Sequence, residues 1–94
     1  MSSVNDTLRN ALKHYGIEHQ TLMLCEECGE LIQAANKTLR YGIDSTRAQL
    51  TEEMADVLVM VEQIRMYYGI DWMELNRMYC EKVERLEKRM EEGK

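Results

Sequence analysis

Apolar residues recur at helical spacing in four runs, and the first three runs end on the same three residues. The tripeptide occurs as Tyr15-Gly16-Ile17, Tyr41-Gly42-Ile43 and Tyr68-Gly69-Ile70. Glycine just past a helix end takes the left-handed conformation at no steric cost, and an apolar residue after it packs back on the last turn. The pattern predicts four helices, over roughly 4–15, 18–41, 45–68 and 72–91. Asp44 or Ser45 is placed to cap the third helix, and Asp71 with Glu74 gives the fourth a capping-box-like start. Links of two or three residues force antiparallel neighbours. The expected fold is all-α: antiparallel helical hairpins forming a four-helix bundle, within one chain or completed by oligomerisation.

A second repeat lies inside the first. Residues 24–32 read LCEECGELI and residues 50–58 read LTEEMADVL, separated by the same offset as the first two Tyr-Gly-Ile copies. Glu26 matches Glu52, Glu27 matches Glu53, and Glu30 matches Asp56. The fourth helix, with YCEKVE, lacks the pattern. A helix turns by about 100° per residue. On that wheel Glu27 lies among Met23, Leu24, Cys28, Leu31, Ala34 and Ala35, with Glu30 at the edge of the stripe. Glu53 lies among Leu50, Met54, Val57, Met60, Val61 and Ile64, with Asp56 at the matching edge. Glu26 and Glu52 point off the stripe, toward solvent.

Acids three apart on a helix usually form a solvated face. An ionised carboxylate inside an apolar stripe needs a partner instead. A hairpin turning near residues 42–44 supplies one, because Glu30 and Glu53 are nearly equidistant from Gly42. Glu30 then faces Glu53, and Glu27 faces Asp56 one turn further on. Four converging carboxylates repel one another unless a cation sits among them. An all-oxygen donor set suits a hard ion, Mg²⁺ or Mn²⁺.

Composition narrows the setting. With 94 residues, a single domain over 1–94 is expected. The absence of Pro and the abundance of Met, Leu, Glu and Lys favour helix. So short a chain buries a modest core, and eight Met with long apolar helix faces point to a partner chain. The net charge of −5 disfavours nucleic acid polymers as partners. No run is apolar enough to span a membrane and no leader pattern is visible. Three Cys is an odd count for a disulfide framework, so a reducing cytoplasm is the expected compartment.

Cys25 and Cys28 also have the spacing of half a zinc site, which requires four ligands. Cys80, His14 and His19 offer no second paired spacing, so all three Cys are expected to pack in the core. His14 and His19 are expected at the surface or at the end of the first helix. Carboxylate-bridged dinuclear bundles use Glu-x-x-His pairs, which this chain lacks. A non-enzymatic helical oligomer or adaptor is the other alternative, and the retention of all four acids counts against it.

Glu26-Glu27-Cys28-Gly29-Glu30 followed by Glu53-Met54-Ala55-Asp56 resembles the EExxE…ExxD signature of the MazG-like all-α nucleoside triphosphate pyrophosphohydrolases. The likeness runs from about residue 20 to residue 89. It implies an obligate helical oligomer, often a dimer. It also implies Mg²⁺-dependent hydrolysis of a nucleoside triphosphate, ribo or deoxy, to monophosphate and pyrophosphate. Glu27, Glu30, Glu53 and Asp56 would hold the metal, and Glu27 or Glu30 would act as general base. A late-helix Asn-x-Lys-apolar-x-x-Arg pattern, used in the family for phosphate, is met at Lys82 and Arg85, with Cys80 in place of the Asn. The alternative for these two is surface charge paired with Glu81, Glu84 or Glu87. Lys37, two turns beyond Glu30, is a further phosphate candidate or plain surface charge. Gln20, two turns before Glu27, and Trp72 are the candidates for contacting the base; for Trp72 a core or interface position is the alternative.

Overall fold

The computed structural model describes residues 3–94, and among them there is no strand. Four helices follow one another: α1 (Val4–Tyr15), α2 (Ile17–Tyr41), α3 (Ile43–Tyr67) and α4 (Trp72–Glu91). The all-α class is as expected. None of the helices is long and apolar enough to cross a membrane.

The three Tyr-Gly-Ile copies are not alike. Only the third closes a Schellman motif: Gly69, at φ 67°, donates to the Met66 carbonyl, and Ile70 donates to that of Arg65. The Arg65 guanidinium also donates to the Ile70 carbonyl at 2.7 Å, so one residue grips both backbone groups of Ile70. Gly16 (φ 85°, ψ 159°) and Gly42 (φ 91°, ψ 158°) instead sit in a region open essentially to glycine alone. Each ends one helix and starts the next with no other residue between. The expected starts at 18 and 45 are therefore late. Neither Asp44 nor Ser45 caps α3; Gly42 holds that position, with no side-chain cap. Side-chain caps appear where the links are conventional, from Ser3 to the Asp6 N–H and from Asp71 to the Met73 N–H.

The single-residue link at Gly42 folds α3 back along α2, and this hairpin is the body of the molecule. α1 lies against α3 and, less extensively, against α2. No Cα of α4 comes within 8 Å of another helix. Three helices thus pack within the chain, while the fourth stands off from the back of α3. The cleft between them, about 540 Å³, is lined by Leu58, Val61, Trp72, Leu75 and Tyr79 among others.

This posture leaves a thin core. Among the described residues, Ala34 and Met60 are the buried apolar ones, and no large side chain is fully enclosed. The radius of gyration is 16.3 Å, whereas a compact domain of this length has about 12 Å. Cys25 and Cys80 are exposed and Cys28 is half-buried, so the expectation that all three thiols pack in the core fails for two. Cys25 falls at the solvent edge of α2, and Cys80 rides on the unpartnered α4.

Candidate metal centre

The apolar stripes of α2 and α3 meet along one seam, and the four acids lie within it as the helical wheel predicts. One carboxylate oxygen from each of Glu27, Glu30, Glu53 and Asp56 lies within 4.8 Å of the others. Glu27 contacts Asp56 and Glu53 contacts Glu30, which are the pairs expected from the hairpin. Glu27 and Asp56 are half-buried, and Glu53 is more enclosed than Glu30. Even so, Glu27 Oε2 and Glu53 Oε2 are sealed from solvent and have no hydrogen-bond partner. Glu26 and Glu52 are exposed.

The electrostatics follow from this crowding. Burial, then the charges of Glu30, Asp56 and Glu53, push the Glu27 carboxyl up to about 7. Burial, the contact with Glu30 and the neighbouring charges also raise Glu53. None of the ion pairs among the described residues involves these acids. Two orphaned buried oxygens in an all-carboxylate set fit a hard divalent cation, whose charge would reverse both shifts. No thiol or imidazole belongs to the cluster.

The profile of the MazG nucleotide pyrophosphohydrolase domain matches residues 16–90. The chain belongs to this family. No match was found among curated proteins or among solved structures. The matched span of this MazG domain begins at the Gly16 link and takes in α2, α3 and nearly all of α4.

The other expected contacts are distributed unevenly. Lys37 is exposed on α2, beyond Glu30. Lys82 and Arg85 are exposed on α4 and pair with none of Glu81, Glu84 or Glu87. Because α4 does not pack on the hairpin, its own chain does not bring them to the acids. Trp72 is 57% exposed at the mouth of the α3–α4 cleft. Gln20 lies two turns before Glu27, but it is buried and its amide is engaged. Its Nε2 donates to Gln63 Oε1 at 2.7 Å, and His19 Nδ1 lies 2.7 Å from its Oε1. His14 and His19 are both exposed, and both rings lie against Tyr15.

Gln63, like Thr46, is a buried polar residue that the helical pattern did not single out. The signal was present: it follows Asp56 by the same seven residues that separate Gln20 from Glu27.

Proposed function

We propose that this MazG domain hydrolyses a nucleoside or deoxynucleoside triphosphate to its monophosphate and pyrophosphate, with Mg²⁺ as the physiological metal and Mn²⁺ as a substitute. The observation that carries the reading is the convergence of Glu27, Glu30, Glu53 and Asp56 with two buried oxygens left unbonded. These four residues would hold the metal. When bound, it would neutralise triphosphate oxygens and orient a water for attack. Glu27 or Glu30 takes the proton of that water as its oxygen bonds to phosphorus and the bridging oxygen departs with pyrophosphate. Lys37, Lys82 and Arg85 receive the phosphates, and Trp72 or Gln20 contacts the base; the Gln20 amide is already engaged by Gln63. The setting is cytoplasmic.

Self-association belongs to the same proposal. The chain exposes 7687 Å². A folded monomer of its mass, 11.1 kDa, exposes about 5,700 Å² by the usual scaling. The excess of about 2,000 Å² is what one subunit of an obligate oligomer buries. Part of it is on α4, where Tyr79, Val83, Leu86 and Met90 form an apolar stripe at helical spacing and are each 49–67% exposed. A second copy covering that stripe would also bring Lys82 and Arg85 toward an acid cluster.

The test is incubation of the purified protein with each common ribo- and deoxynucleoside triphosphate and Mg²⁺, with both products quantified. Equimolar pyrophosphate and monophosphate from at least one of them is the expected result. No turnover with any, oxidised forms included, would remove the enzyme reading in favour of a binding or adaptor role.

A further inference from the structure

Four polar pairs cross the α2–α3 seam in a ladder: Gln20–Gln63, Glu27–Asp56, Glu30–Glu53 and Thr38–Thr46. The two acidic rungs lie between two neutral ones. Gln20 and Gln63 are each seven residues from the nearer acidic rung, about 10 Å along the axis. Thr38 lies eight residues past Glu30, and Thr46 lies seven before Glu53. We propose that the two neutral rungs are positioning pairs, which clamp α2 and α3 on both sides of the carboxylates and keep the four acids converged before a cation binds. This inference rests on the metal centre proposed above.

Three of the four neutral-rung residues are buried, and the fourth, Thr38, is half-buried. Gln63 is 3% exposed, Gln20 5% and Thr46 8%. Among the described residues, these three polar side chains are buried, as are the apolar Ala34 and Met60. An apolar pair of equal volume would cost less to bury, whereas a hydrogen-bonded pair fixes distance and direction. The amide rung has a defined sense. The Gln20 oxygen only accepts, so His19 donates from Nδ1, and the Gln20 Nε2 is thereby turned toward Gln63. Gln63 Nε2 then donates to the Val59 carbonyl at 3.3 Å. At the other end the two hydroxyls lie 2.8 Å apart; one donates to the other, and the accepting hydroxyl donates to the carbonyl one turn earlier, Ala34 for Thr38 or Gly42 for Thr46.

The acids require such a clamp. Four crowded carboxyls without a counter-charge push their helices apart. The Gly42 link sets the register at one end only, and the amide rung lies more than twenty residues from it along either helix.

The experiment uses two double variants of the full chain, Gln20→Met with Gln63→Met and Thr38→Val with Thr46→Val. Both keep side-chain volume close to the original. Mn²⁺ affinity is measured by calorimetry, with thermal melting and amide hydrogen exchange of the metal-free protein alongside. The expected result is an unchanged or higher melting temperature, Mn²⁺ binding weakened by about tenfold or more, and about tenfold faster exchange across residues 24–34 and 50–60. Thr38→Ser with Thr46→Ser, which keeps both hydroxyls, retains wild-type Mn²⁺ affinity. Wild-type Mn²⁺ affinity and exchange in both apolar variants would overturn the proposal. If one variant fails to fold, the other decides. If the wild-type protein binds no Mn²⁺, the metal centre itself falls, and exchange in the metal-free variants still decides whether the rungs hold the acids.

Discussion

Glu53 leans on Glu30 across the seam between α2 and α3, carboxyl against carboxyl, and no Lys or Arg pairs with either. An interaction that raises Glu53 in the metal-free protein works against folding at neutral pH. Replacing one partner by its neutral isostere relieves it. Glu53→Gln is expected to raise the melting temperature of the metal-free protein and to abolish the rise that Mg²⁺ or Mn²⁺ produces in the wild type. Turnover is expected to fall about a hundredfold or more, as for loss of a metal ligand. Melting curves with and without metal, beside product assays, check both halves. Pyrophosphate release that survives the change would dismiss the site.

The same crowding predicts the pH dependence. Burial and the neighbouring acids push the Glu27 carboxyl up to about 7 in the fold, from an ordinary value of 4.5. Between those values the folded chain holds a proton that the unfolded chain has released, so stability falls as pH rises through the interval. The metal-free protein should melt at progressively lower temperature from about pH 4.5 to 7 and level off above. Glu27→Gln should flatten the slope. Saturating Mg²⁺ should reverse it, because the ion favours the charged carboxylates. A metal-free melting profile that climbs steadily across this range in the wild type and in Glu27→Gln alike would contradict the assignment.

The links are more demanding than ordinary turns. Gly42 has φ 91° and ψ 158° and joins two helices of 25 residues each. No atom lies within 4 Å of a Cβ added there, so a side chain has space but not the backbone angles. Gly42→Ala is expected to destabilise by about 1–3 kcal/mol, read from urea unfolding. Little change in the midpoint would show that the link relaxes without disturbing the hairpin.

A charge on the apolar stripe of α4 tests the assembly. Val83 is 49% exposed in the isolated chain. Val83→Glu costs nothing there, but it is destabilising in a covered interface. Light scattering should give a multiple of 11.1 kDa for the wild type and a shift toward the monomer for the variant. A wild-type monomer would remove the assembly from the proposal.

The site was legible in the sequence to the extent that helical periodicity carries it. The angles that set Glu27 and Glu53 inside apolar stripes, and the short link that sets Glu30 against Glu53, are local quantities, and the structure repeats them. The start of α3 was misplaced because Ser45 looks like a cap, whereas an extended Gly42 already serves both helices. Gln63 was missed because an uncharged amide in an apolar stripe attracts less notice than an acid there. Periodicity also reveals that α4 has an apolar face without revealing which molecule covers it. That is why the stand-off of α4 came only from the fold.

The detachment of α4 has a consequence for how the protein behaves on dilution. A 20-residue helix whose backbone packs closely on no other helix of its own chain depends largely on intrinsic propensity, which is marginal in water for isolated helices. Its order is then supplied by another molecule, and so is a function of concentration. At low concentration the last fifth of the chain should fray while the α2–α3 hairpin persists. Activity per molecule would then rise with the amount of protein in the assay, and dilution alone would act as an inhibitor.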